Sequence, residues 1–160
     1  TGGTSATLGR YMRYMSHPTE LVVVDPENSV FYDSYMSRDT TLTRACSSRI
    51  EGIGRPKVEP SFQHDVIDRM IQVPDAASVA GMLWFEARTG RKAGPSTGTN
   101  IWGTLQVARE MAAAGRQGSI VTLMCDSGLR YLDSYYNPDW VAARIGNTAP
   151  YLETLVGFGR

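Results

Sequence analysis

The residues best suited to chemistry are five at the start of the chain, Thr1-Gly2-Gly3-Thr4-Ser5, and a serine far downstream, Ser127. Two adjacent glycines between small hydroxyl residues let backbone N–H groups turn inward around an anion. A helix is predicted from about Ala6 to Met15, so the positive end of its dipole faces the same point. Together these features read as a phosphate cradle, although an ordinary glycine turn before a helix uses the same residues. Other chemistries are poorly supplied. His17 and His64 are the only histidines, and neither lies at a metal-ligand spacing from cysteines or acidic residues. Ser96 and Ser127 are conceivable nucleophiles, but Ser127 lacks the Gly-x-Ser-x-Gly elbow and no candidate base is visible. Asp126 precedes Ser127 in an extended segment and therefore points the opposite way, which predicts a structural role. No Gly-Lys-Ser/Thr phosphate loop occurs, which argues against nucleotide hydrolysis.

The elements that must position these residues follow an α/β order. Leu8, Met12 and Met15 share one face of the first helix, which His17-Pro18 ends. Leu21 to Val24 is a short continuous apolar run closed by Asp25-Pro26, the pattern of a strand covered on both faces and hence parallel. Residues 27–49 are polar and poorly periodic, an irregular excursion with one short helix. Ile50-Glu51-Gly52-Ile53-Gly54-Arg55-Pro56 is a second glycine loop. A short helix is predicted over His64 to Met70 and a strand near Met70 to Val73.

Asp75 can cap a helix running to about Arg88, with Val79, Met82 and Leu83 inward. Gly94-Pro95-Ser96-Thr97-Gly98 opens another, with Ile101, Leu105, Ala108 and Ala112 at helical spacing and Gly115 as its stop. Ser119 to Met124 reads as a third buried strand, ending at Cys125-Asp126-Ser127-Gly128; helical pieces follow near Arg130 to Tyr135 and Asp139 to Arg144. The expected fold class is α/β, an open and mainly parallel sheet with helices on both faces. Its glycine and serine loops sit where open sheets bind ligands.

Size and charge narrow the partners. With 160 residues the chain has room for one domain with a real core, and its 16 basic and 16 acidic residues cancel. That balance argues against nucleic acid or an anionic membrane as a partner. No apolar run approaches the roughly 20 residues of a membrane span. Cys46 and Cys125 make no disulfide framework, so reduced thiols in a cytoplasmic setting are expected. The chain opens inside a glycine motif with no Met and no strand to deliver it, so a fragment is expected.

Thr1-Gly2-Gly3-Thr4, Ile50-Glu51-Gly52-Ile53-Gly54, Ser96-Thr97-Gly98 and Asp126-Ser127-Gly128-x-Arg130-Tyr131-Leu132 come in an order that resembles the motifs of the cysteine synthase and cystathionine β-synthase family. These are pyridoxal-phosphate (PLP) enzymes of the tryptophan-synthase-β fold type, also called fold type II. The likeness extends over most of the chain, to about Tyr136. It implies that Thr1, Gly2, Gly3 and Thr4 bind the PLP phosphate and that Ser127 meets the pyridine nitrogen. Gly52, Ile53 and Gly54 would border the amino-acid substrate, and Ser96 to Gly98 would pack under the cofactor. A neutral hydroxyl at the ring nitrogen does not hold a proton there, which suits loss or replacement of a β-substituent.

The likeness also shows what is missing. The family's Schiff-base lysine belongs to an earlier motif, and Lys57 and Lys92, the only lysines, sit outside any matching position. No catalytic residue is therefore assigned within the chain, and the lysine is expected upstream of Thr1. Residues 1–160 are expected to be the C-terminal portion of a PLP-binding large domain, incomplete at its N-terminus. Pro95, Thr97, Thr99 and Asn100 depart from the family's Ser-Ser-Gly-Ala-Ala context and resemble the cysteine desulfhydrase-like branch. The implied activity is β-elimination or β-replacement on cysteine or O-acetylserine, by a homodimer. A non-catalytic phosphate-ligand module or a nucleotide-binding α/β domain are the alternatives; the second would use Asp25 as its ribose contact but lacks the third fingerprint glycine.

Overall fold

The computed structural model describes residues 1–159. The chain divides into two compact units, one of Thr1–Ser48 with Gly52–Gln72 and one of Arg49–Glu51 with Val73 onward.

The first unit begins with α1 (Gly3–Tyr14), then β1 (Val22–Pro26) and α2 (Phe31–Ser37), and a 3-10 turn at His64–Val66 leads into β2 (Arg69–Val73). β1 and β2 form a two-stranded parallel sheet. Its pairing starts at the N-terminal ends of both strands, where Asp68 N donates to Leu21 O at 3.1 Å and Leu21 N donates to Asp68 Oδ2 at 2.7 Å. The β-branched Val22-Val23-Val24 run suits this pleated, covered position. Phe31 and Phe62 stack at 4.4 Å between centroids and, with Val30, Ile67 and Met70, form the core. Burying each phenyl ring contributes roughly 2 kcal/mol. His64 leans edge-on against Phe62, and its Nε2 lies 2.9 Å from Ser34 Oγ. Ser34 donates its own proton to Asp39 O at 2.7 Å, so His64 Nε2 must be the donor.

The stripe Leu8–Met12–Met15 does not face this core. Leu8 is 43% exposed and Met15 53%, whereas the buried residues of α1 are Ala6 and Gly9. A Cβ at Gly9 would lie 2.5 Å from Val66 O, so the helix docks by its smallest face, where the backbones can approach.

The second unit is helical: α3 (Asp75–Thr89), α4 (Pro95–Ala113), a 3-10 turn at Gly128–Tyr131, α5 (Pro138–Arg144) and α6 (Ala149–Val156). The short link between α3 and α4 makes them antiparallel neighbours. Their backbones touch at Gly81 and Gly98: a Cβ on Gly98 would lie 1.9 Å from Ser78 O. Thr99 Oγ1 donates to the buried Ser78 Oγ at 2.8 Å beside that contact. Gly98 thus serves helix packing, and the packed face of α4 is its small first turn rather than Ile101, Leu105 and Ala108, which are half-buried. Gly115, at φ 62°, ends α4; Gly115 N bonds Ala112 O and Arg116 N bonds Met111 O, a Schellman closure. α6 packs on α3, with Leu155 buried, and this helix has no counterpart among the elements expected from sequence.

Residues 119–124 form no strand. They carry no regular secondary structure and lie outside the sheet, with Val121 90% exposed and Leu123 52%. An apolar run becomes a buried strand only where neighbouring strands receive it, and among the described residues the one sheet holds β1 and β2 alone.

Candidate cofactor site

The cradle lies in the first unit. Gly2 takes a left-handed conformation, φ 86° and ψ 0°, and is followed at once by the helical Gly3, so α1 starts three residues earlier than its apolar periodicity suggests. A left-handed residue followed by a right-handed one turns successive N–H groups toward a common point. The first turn of α1 has no side-chain cap, and its leading N–H groups have no intrahelical acceptor. Ser5 Oγ donates to Gly2 O at 2.9 Å and Thr7 Oγ1 to Gly3 O at 2.9 Å, which stiffens the turn from behind. Ser61 Oγ anchors Thr1 by donating to its carbonyl at 2.7 Å. Thr1 and Thr4 are exposed. A Cβ at Gly2 would lie 2.8 Å from Phe62 Cα, so only glycine fits. Uncapped N–H donors, a helix dipole and flanking hydroxyls are the donor set a phosphate ester dianion needs.

Both glycines of the second loop, Gly52 and Gly54, belong to the same unit. Gly52 (φ 87°) stands in open space, whereas a Cβ on Gly54 (φ 78°) would lie 2.6 Å from Ser48 Cβ. Just beyond, Arg55 N donates to Ser29 Oγ at 3.2 Å and Val30 N to Arg55 O at 2.9 Å. The loop is therefore pinned at Gly54 and Arg55 and has open space beside Gly52, while Ile53 is half-buried. Beside that anchor, Asp25 is 3% exposed and accepts from Tyr32 N at 2.9 Å. Burial raises its carboxyl to about 6, against the opposing hydrogen bonds from Ser29 and Tyr32.

Ser127 lies in the second unit, at the start of the Gly128–Tyr131 turn. Its Oγ accepts from Leu129 N at 3.3 Å, and the side chain is exposed. The hydroxyl keeps its proton free to donate outward. Ser127 pairs with Ala93 in an antiparallel bridge, and Gly128 N donates to Lys92 O at 3.1 Å. Asp126 turns the other way, its Oδ2 accepting from Tyr131 OH at 2.7 Å. Burial and this carboxylate push the Tyr131 phenol well above its ordinary value, so it remains a donor. Asp126 and Tyr131 are visible in the sequence only as motif letters; the bond between them joins positions five apart across a turn.

The lysines are engaged elsewhere. Lys92 pairs with Glu86 and lies 4.4 Å above the Tyr136 ring, and Lys57 is exposed, its backbone in a bridge with Thr43. Among the described residues no group of three or more His, Cys, Asp or Glu could hold a metal ion, and no helix is long and apolar enough to cross a membrane.

The chain belongs to the pyridoxal-phosphate dependent enzymes, whose family profile matches residues 1–126. Among named relatives, it is 54% identical over 160 residues to the L-cysteine desulfhydrase Cds1 of Mycobacterium tuberculosis, covering 100% of this chain and 44% of that one. It is 32% identical over 142 residues to an N-(2-amino-2-carboxyethyl)-L-glutamate synthase of Ralstonia nicotianae, covering 89% and 38%. It is 27% identical over 165 residues to cysteine synthase 2 of Emericella nidulans, covering 96% and 36%. The chain spans less than half the length of these relatives.

Proposed function

We propose that this chain is the C-terminal portion of a PLP-dependent enzyme that removes or replaces the β-substituent of cysteine or O-acetylserine, and that its main reaction is desulfhydration of cysteine. The observation that carries the reading is 54% identity, over the chain's whole length, to a protein named for that activity, against 27% to a cysteine synthase. When bound, PLP supplies the electron sink that weakens the bonds at Cα and Cβ of the amino acid. The Gly2–Thr4 backbone and the Thr1 and Thr4 hydroxyls hold its phosphate. Ser127 would donate its hydroxyl to the ring nitrogen, a neutral partner that does not hold a proton there. Gly52 to Gly54 would border the amino acid. The lysine that carries the cofactor lies upstream of Thr1. The reading extends to a homodimer in the cytoplasm, supported by the family resemblance and by two exposed free cysteines.

Borohydride reduction of the full-length enzyme with PLP, followed by peptide mapping, tests it. The label is expected upstream of Thr1, with sulfide released from cysteine. A phosphopyridoxyl group on Lys57 or Lys92 together with turnover would overturn the reading.

A further inference from the structure

We propose that Tyr131, acting through Asp126, and Tyr136, acting through Ala93, are positioning residues that present the Ser127 hydroxyl to the cofactor's ring nitrogen and hold the adjacent carboxylate away from it. The inference rests on the reading of Ser127 given above and adds the devices that make it selective. A carboxylate beside a pyridine nitrogen stabilises a proton on that nitrogen, whereas a hydroxyl does not. Asp126 and Ser127 are neighbours, and a slip of one residue in the bridge to Ala93 would exchange them. Something must therefore fix the register.

Two tyrosines do so, one on each segment of the bridge. Tyr131 OH holds Asp126 Oδ2 at 2.7 Å. The other oxygen, Oδ1, is buried with no hydrogen-bond partner among the described residues. It lies against Gly94, where a Cβ would come 2.0 Å from Oδ1 and 2.8 Å from Tyr131 Cε2. Gly94 N donates to Asp126 O at 3.1 Å, which ties the backbone at the same point. On the other strand of the bridge, Tyr136 OH donates to Ala93 O at 2.9 Å and accepts from Ala93 N at 3.1 Å. Lys92 caps the Tyr136 ring. A buried acceptor left without a partner opposes folding, and such arrangements concentrate where a site must hold a group in an unfavourable place. Here the arrangement keeps a carboxylate one residue from a position that has to stay neutral. Burial and Asp126 both hold the proton on Tyr131, so its phenol remains a donor to Asp126.

The test uses the full-length holoenzyme loaded with PLP labelled with 15N in the ring, whose shift reports ring protonation without reference to turnover. Tyr131→Phe is expected to bind PLP stoichiometrically, move the ring 15N signal toward the protonated position, and lower kcat about tenfold with little change in KM. Asp126→Asn alone should leave the signal in place, because the amide oxygen still accepts from Tyr131 and carries no charge. The double variant Tyr131→Phe/Asp126→Asn should return the signal to its original position, a rescue that a merely structural tyrosine would not show. Tyr136→Phe, which frees Ala93, should move the signal in the same direction as Tyr131→Phe and stands in should that variant not fold. An unmoved signal in folded, loaded Tyr131→Phe and Tyr136→Phe enzymes, or a double variant that is not rescued, overturns the proposal. Ser127→Asp separates the two readings. If it moves the signal and the tyrosine variants do not, the latch is wrong and Ser127 stands; if it leaves the signal unmoved, the role of Ser127 itself fails.

Discussion

Gly2→Ala is the most direct probe of the cradle. A left-handed conformation costs a residue bearing a Cβ roughly 1–2 kcal/mol. The added Cβ would lie 2.8 Å from Phe62 Cα, a backbone atom that cannot rotate aside. Ordinary carbon contacts fall at about 3.5–4.0 Å, so one side must retreat by about 1 Å. Phe62 is locked in the stack with Phe31, so the retreat falls on the Gly2–Gly3 peptide and on the leading N–H groups of α1, which in the proposed function hold the phosphate. A hydrogen bond to an ionised group contributes about 1.5–3 kcal/mol, and losing one weakens PLP binding roughly ten- to a hundredfold. Gly52→Ala is the matched control: its φ is 87°, nearly the same strain, but nothing lies within 4 Å of the added carbon. Reconstitution of the full-length apoenzyme, followed by cofactor fluorescence as PLP is titrated, measures both. Equal PLP affinity in folded Gly2→Ala and Gly52→Ala enzymes would refute the reasoning, because strain without steric closure would then account for everything.

At the crossing of α3 and α4, Gly98→Ala brings a Cβ within 1.9 Å of Ser78 O and 2.7 Å of Met82 N, both backbone atoms. The expected loss is about 3 kcal/mol or more, a fall in Tm of about 10 °C, while Gly115→Ala in open space loses about 1 kcal/mol; equal melting curves would contradict the crossing. Asp25, raised to about 6 in the folded chain, binds its proton more tightly folded than unfolded. Its contribution is therefore present in full below the ordinary carboxylate value near 3.8 and is lost as pH rises through about 6. That change is on the order of 3 kcal/mol. Denaturant midpoints across pH 4–7 should show the slope, and Asp25→Asn, which still accepts from Tyr32 N, should flatten it. At the ring nitrogen, Ser127→Asp should slow turnover more than Ser127→Ala, since a charge changes ring protonation and a lost hydroxyl only removes a donor; the ratio of kcat values checks it.

Local chemistry is enough to read several of these features from the sequence alone. Two glycines before a helix favour a left-handed turn because only residues without a Cβ reach that conformation at little cost, and Gly2 adopts it. The Val22–Val24 run, Gly115 as a helix stop and the opposed directions of Asp126 and Ser127 follow from equally short-range rules. Tertiary structure decided the rest. Leu8, Met12 and Met15 share a face, but α1 docks through Ala6 and Gly9, because closeness to Val66 rewards the smallest side chains. Residues 119–124 have the composition of a buried strand but remain irregular and exposed, since a strand exists only where another strand pairs with it. Ser96-Thr97-Gly98 has the composition of a ligand-side loop, yet Gly98 is where two helix backbones meet. The latch from Tyr131 to Asp126 and the clamp from Tyr136 to Ala93 join residues 5 and 43 positions apart. No periodicity encodes such pairs, because their partners become neighbours only once the chain has turned back on itself.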